Sequence, residues 1–166
     1  MKRILTIFLA LIIALSMSAQ LQNKPLGLTL GSATKNHVLN HCQNNNQTVV
    51  GNDDDKIIAT SAKFAGYDWT CFTFYFHDNK LCSVDMCIVS PHKAMWNNLK
   101  ESLNKKYRKY YISKISNTNR IVYSDGNTAI FLEYSPRDGQ VSPSINLRYT
   151  DVYLLNQKFS GVENEL

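Results

Sequence analysis

Residues Tyr67 to Val89, YDWTCFTFYFHDNKLCSVDMCIV, decide the fold. Trp69, Phe72, Phe74, Tyr75 and Phe76 crowd aromatic rings into one short run, which suits a half-buried pleated surface better than a helix. The polar stretch His77-Asp78-Asn79-Lys80 divides the run into two arms, so it reads as a long β-hairpin. Alternation places Phe72, Phe74 and Phe76 on one side, with Cys71, Thr73 and Tyr75 on the other. Two registers stay open. A two-residue loop at Asp78-Asn79 sets Phe76 against Leu81, Phe74 against Ser83 and Phe72 against Asp85. A three-residue loop moves Cys82, Val84 and Met86 to the phenylalanine side instead. Turn chemistry favours the first, hydrophobic matching the second.

Far upstream, Lys2 and Arg3 precede an apolar run from Ile4 to Leu15, followed by Ser16-Met17-Ser18-Ala19-Gln20. A basic start, a short apolar core and small residues at a cleavage point describe a secretory signal peptide over residues 1–19, cut after Ala19. The run is shorter than the roughly 20 residues a membrane-spanning helix needs, so no stable anchor is expected after cleavage. An exported protein of the periplasm or the extracellular space is the expectation. Without Lys2 and Arg3 the formal charge drops from +5 to +3, which gives no reason to expect a nucleic-acid partner. Residues 20–166 suit a single domain, with a tail expected to fray from about 158.

Between these stretches the chain alternates helix and strand signals. Ser32 or Thr34 can cap a helix through roughly Asn45, with Val38, Leu39 and Cys42 on its apolar edge. Thr48-Val49-Val50 and Lys56 to Phe64 read as strands. After the hairpin, Ser90 and Pro91 are start signals for a helix whose Trp96, Leu99, Leu103 and Tyr107 form one apolar stripe. Tyr110 to Ser116 reads as a strand, Ile121 to Tyr134 as a second hairpin about Asp125-Gly126, and Ser144 to Thr150 as a last strand. Asp151 to Asn156 reads as a short helical turn. The expected fold is α+β, two helices packed on one face of antiparallel β-sheet, in an order that also suits two helix-plus-strands units in tandem.

The segment Leu30-Gly31-Ser32-Ala33-Thr34-Lys35-Asn36-His37-Val38 resembles the opening of small exported domains of the β-lactamase-inhibitor-protein-like or SmpA-OmlA type. More broadly, the chain is similar to uncharacterised exported proteins of Bacteroidetes-type bacteria. The resemblance implies a fold and a habit of binding other proteins in the envelope. It implies no functional residue, because the shared motif is structural. An Asn-rich run stands where that group has Gly-Pro after the first helix, and no lipidation cysteine is present.

Constellations with chemical potential are few. His37 and His41 share a helix face beside Cys42 and are weak metal candidates, but Val38 stands where an HExxH motif has its Glu. The cluster Asn52-Asp53-Asp54-Asp55 lacks the spacing of a calcium loop. No activated nucleophile or phosphate loop is present. The run Lys105-Lys106-Tyr107-Arg108-Lys109-Tyr110-Tyr111 mixes basic and aromatic residues, as a solvated helix end or as contact with an anionic glycan, lipid head group or acidic protein. Cys42, Cys71, Cys82 and Cys87 allow three full disulfide pairings, or none if they are small buried hydrophobes. The sequence therefore points to a non-enzymatic exported domain that binds another envelope protein, without cofactor. Tyr67, Trp69 and Tyr75 are its candidate contact residues. The alternative is a small metal-dependent or hydrolytic enzyme of the periplasm.

Overall fold

The computed structural model describes residues 21–114, 119–136 and 142–163. The expected signal peptide lies outside the described residues, and none of the described helices is long and apolar enough to cross a membrane.

The central hairpin forms from β3 (Tyr67–His77) and β4 (Lys80–Val89), and it satisfies both register signals at once. Asp78 and Asn79 take φ values of 47° and 59°, the two positive angles that a tight two-residue turn demands, and Phe76 faces Leu81. One step further a bulge inserts Cys82. Phe74 then faces Val84 and Phe72 faces Met86. The turn keeps its residues, and the phenylalanines keep apolar partners.

The flanking strands are β1 (Val49–Asp53), β2 (Lys56–Phe64), β5 (Tyr111–Lys114), β6 (Arg120–Ser124), β7 (Thr128–Ser135) and β8 (Ser144–Asp151). They complete one eight-stranded antiparallel sheet in the order β1-β2-β3-β4-β8-β7-β6-β5. The first four strands meet the last four where β4 pairs with β8, Met86 facing Leu147. Both outer strands slip register by a bulge, at Val50 in β1 and Ile112 in β5, and those two side chains stay exposed.

Phe72, Phe74, Val84, Met86, Leu147 and Leu132 bury one face of this sheet. Helix α1 (Lys35–Asn44) adds Val38 and Cys42 to that core, and α2 (Lys93–Tyr107) adds Leu99, Leu103 and Tyr107. Thr34 caps α1 reciprocally. Its hydroxyl accepts the His37 N–H at 3.4 Å, while His37 Nδ1 accepts the Thr34 N–H at 3.1 Å. The start of α2 differs from the expected Ser90 cap. Ser90 takes a left-handed φ of 54° and donates its N–H to the Pro143 carbonyl, so it closes β4, and the helix begins after His92.

The opposite face overturns the expected arrangement. Ser83 and Thr150 lie on it, hydrogen-bonded at 2.9 Å, yet are only 2% and 1% exposed. They are covered by α3 (Val152–Glu163), which packs across β3, β4 and β8. Lys158 of α3 sits 5.6 Å above the Tyr75 ring and donates to Asp55 at 2.8 Å. The expected arrangement, with two helices and both on one face, is thus incorrect, because a third helix packs on the other face. A continuous eight-stranded sheet dominates, three α-helices accompany it among the described residues, and α3 occupies the face that α1 and α2 leave open. The sheet runs unbroken through β4 and β8, so no tandem units divide it. Of the tail expected to fray from 158, the described part is helical to Glu163, with Lys158 paired to Asp55, and residues 164–166 lie outside the described residues.

Two further features fix the ends of the fold. Beyond Thr60 the β2–β3 hairpin outruns its neighbours, and a free two-stranded ribbon twists more strongly than a flanked one. Its inward alternation changes phase there. Trp69 becomes completely buried, its indole N–H donates to the Phe64 carbonyl at 3.0 Å, and Phe64 meets Tyr149 edge-on at 6.3 Å. At the other hairpin, the Asp125 carboxylate accepts N–H groups from Leu21, Asn127 and Thr128 at 2.7, 3.0 and 2.8 Å. One side chain closes a turn and ties down the buried residue Leu21.

Candidate functional site

The aromatic contact residues expected from the sequence do not form one exposed patch. Trp69 is sealed in the core, Tyr67 packs against that core, and Tyr75 lies beneath Lys158 of α3. Trp69 is excluded as a contact residue by its burial, which follows from the phase change in the arm.

The histidines are occupied locally. His37 completes the cap of α1, and Nδ1 of His41 lies 3.4 Å from the Asn45 side-chain amide. Burial holds the His41 pKa below its ordinary value, which disfavours the charged ring. Among the described residues, no group of three His, Cys, Asp or Glu side chains stands together as metal ligands would. Asp53 and Asp55 of the acidic loop pair with Lys56 and Lys158.

What the fold does present is the part of the second face beyond α3. Successive registers align Ile58, Thr73, Asp85, Arg148, Phe131 and Val122 in one row across six strands. The next row holds Thr60, Cys71, Cys87, Asn146, Glu133 and Arg120. None of these side chains is buried, whereas the facing core row is. Two forked ion pairs stiffen the surface. Arg148 donates to both Asp85 oxygens at 2.7 and 2.6 Å, and Arg120 donates twice to one Glu133 oxygen at 3.1 and 2.7 Å. The hydrogen bond to Asp85 pushes the Arg148 pKa up further. Between the pairs, Phe131 and Asn146 line a shallow hollow of about 220 Å³.

A second concavity, of about 830 Å³, opens between α2 and the β5–β6 edge. Trp96 and Tyr111 line it together with Lys100, Lys105, Arg108 and Arg120. Lys100, Lys105 and Arg108 make no ion pair among the described residues. Part of that positive charge suits the negative C-terminal end of α2.

Sequence reasoning missed the two rows. Alternation assigns each residue to a face, but the rows need strand order and registers, which only long-range pairing supplies. Comparison with family models, curated proteins and solved structures finds no match to this chain.

Proposed function

We propose that this chain is an exported, non-enzymatic binding module of the cell envelope whose partner is a protein that docks on the uncovered sheet face. The observation that supports it is the row Ile58–Thr73–Asp85–Arg148–Phe131–Val122. It alternates apolar patches with a rigid ion pair on a surface that costs little to order on binding. The N-terminal leader supports export, and the resemblance to β-lactamase-inhibitor-protein-like domains supports the same habit of protein binding.

The test begins with affinity capture from the native envelope using residues 20–166, followed by titration of the purified captured protein. Phe131→Lys and Val122→Lys place a hydrated charge at half-exposed positions on the face. Each is expected to weaken binding by about tenfold or more while leaving the melting temperature nearly unchanged. Undiminished affinity in both variants would refute the assignment of the face.

The second concavity favours a different reading, in which the ligand is an anionic glycan whose sugar faces rest on the aromatic rings. Three cations that make no ion pair among the described residues stand around Trp96 and Tyr111 and raise the local potential over an apolar floor. With dextran sulfate as the probe, Lys105→Glu combined with Arg108→Glu is expected to lower affinity by about tenfold and to flatten its salt dependence. Equal binding by the variant and the unaltered chain would remove this reading.

A further inference from the structure

We infer that Cys71 and Cys87 are a dithiol that oxidises to a cross-strand disulfide on the uncovered face. The bulge at Cys82 brings them opposite each other, as direct partners in the β3–β4 register. Residues directly opposed in an antiparallel pair have Cα atoms about 4.5–5.5 Å apart, inside the span of about 4.4–6.8 Å that a disulfide bridges. The Cys71 thiol is near enough to Cys87 to act on its ionisation. Both are half-buried on the face that no helix covers at that row, so an oxidant can reach them.

The other two cysteines are placed differently. Cys42 is completely buried on α1, on the core side of the sheet. Cys82 is completely buried beneath α3, its thiol donating to the Tyr75 carbonyl at 3.3 Å. Cys82 and Cys87 lie on one strand, where five residues span about 17 Å, too far for a bond. Of the pairings the sequence leaves open, the fold therefore supports the link between Cys71 and Cys87. As space-fillers, small apolar side chains belong in the core, which is where Cys42 and Cys82 are and where this pair is not.

The chemistry is thiol–disulfide exchange with a small disulfide, RSSR. A protein thiolate attacks one sulfur of RSSR and expels RS⁻, leaving a mixed disulfide. The second protein thiolate attacks the protein sulfur of that intermediate and expels the second RS⁻. The two cysteines lose two electrons and two protons in total, and RSSR becomes two RSH. Burial and the neighbouring Cys71 push the Cys87 thiol up to about 11, and either thiolate can make the first attack in the balance above.

The experiment treats the purified, reduced chain, residues 20–166, with glutathione disulfide, then blocks the remaining thiols and maps the peptides without reduction. The expected product has Cys42 and Cys82 alkylated and one cross-linked peptide pair joining Cys71 to Cys87. The link closes a loop of about 15 residues and raises the melting temperature by on the order of 5–10 °C over the reduced form. A Cys42→Ala, Cys82→Ala double variant is expected to form the same link, whereas Cys71→Ser or Cys87→Ser abolishes it. Four alkylated cysteines after treatment, or a cross-link through Cys42 or Cys82, would overturn the inference. Because the oxidant is supplied in the tube, the outcome does not depend on where the protein resides.

Discussion

Replacing Trp69 with alanine is expected to lower the unfolding free energy by about 3–5 kcal/mol, a large share of the roughly 5–15 kcal/mol available to such a domain. The loss combines two causes. Removing a completely buried indole leaves a cavity beneath the tip of the β2–β3 arm, and the Phe64 carbonyl loses its donor. Urea unfolding of residues 20–166 measures it directly. Trp69→Phe, which refills most of the volume and lacks only the N–H, is expected to fall between the alanine variant and the unaltered chain. A surface aromatic would behave oppositely, so a stability change within about 0.5 kcal/mol for Trp69→Ala would contradict the burial. The melt thus decides between a core residue and a contact residue at the position where the sequence suggested the latter.

Asp125→Ala is the second large effect, with an expected loss of about 2–3 kcal/mol, because hydrogen bonds to a charged acceptor are worth more than neutral ones. Three backbone N–H groups lose their acceptor together: two in the hairpin turn and one at Leu21. The same carboxylate gives the fold an acid limit. Burial acts to raise the Asp125 pKa, but the N–H groups of Thr128, Leu21 and Asn127 outweigh it and hold the value below the ordinary 3.8. A folded-state pKa below the unfolded one means that the carboxylate contributes fully above the ordinary aspartate range. That contribution drains away as pH falls through the folded value. Urea midpoints measured from neutral pH down through that range are expected to fall less steeply for Asp125→Asn than for the unaltered chain. Asp55, whose pKa is lowered chiefly by the hydrogen bond from Lys158, retains its share of the slope in both proteins. Parallel acid limbs would show that Asp125 does not carry this linkage.

Local signals in the sequence reach as far as neighbouring residues act on one another. The Asp78-Asn79 turn, the Thr34 cap and the α2 stripe of Leu99, Leu103 and Tyr107 are all legible, since each depends on contacts within one element or one turn. The pairing of β4 with β8 is not, because its partners lie about 60 residues apart and nothing local names them. Trp69 was assigned to the wrong surroundings for a related reason. Alternation groups it with Tyr75, and only the twist of an unflanked ribbon turns it inward. The facing of Cys71 and Cys87 hangs on one inserted residue, Cys82, which two competing register signals concealed until both proved to hold. The packing of α3 on the second face was hidden as well. Its segment pairs a buried Leu154 with exposed Tyr153 and Phe159, too weak a stripe to announce a docked helix.

The bulges at Val50 and Ile112 occupy the two outermost strands, where a sheet offers its unpaired backbone groups to any passing chain. Each inserts an extra residue into the row of donors and acceptors, so an incoming straight strand meets the edge out of step. Growth of the sheet by stacking further strands onto either margin is therefore disfavoured, for copies of this chain and for extended peptides alike. What remains open to contact is the broad surface of the sheet, where any recognition would come through the shape and charge of its side chains rather than through a shared backbone ladder.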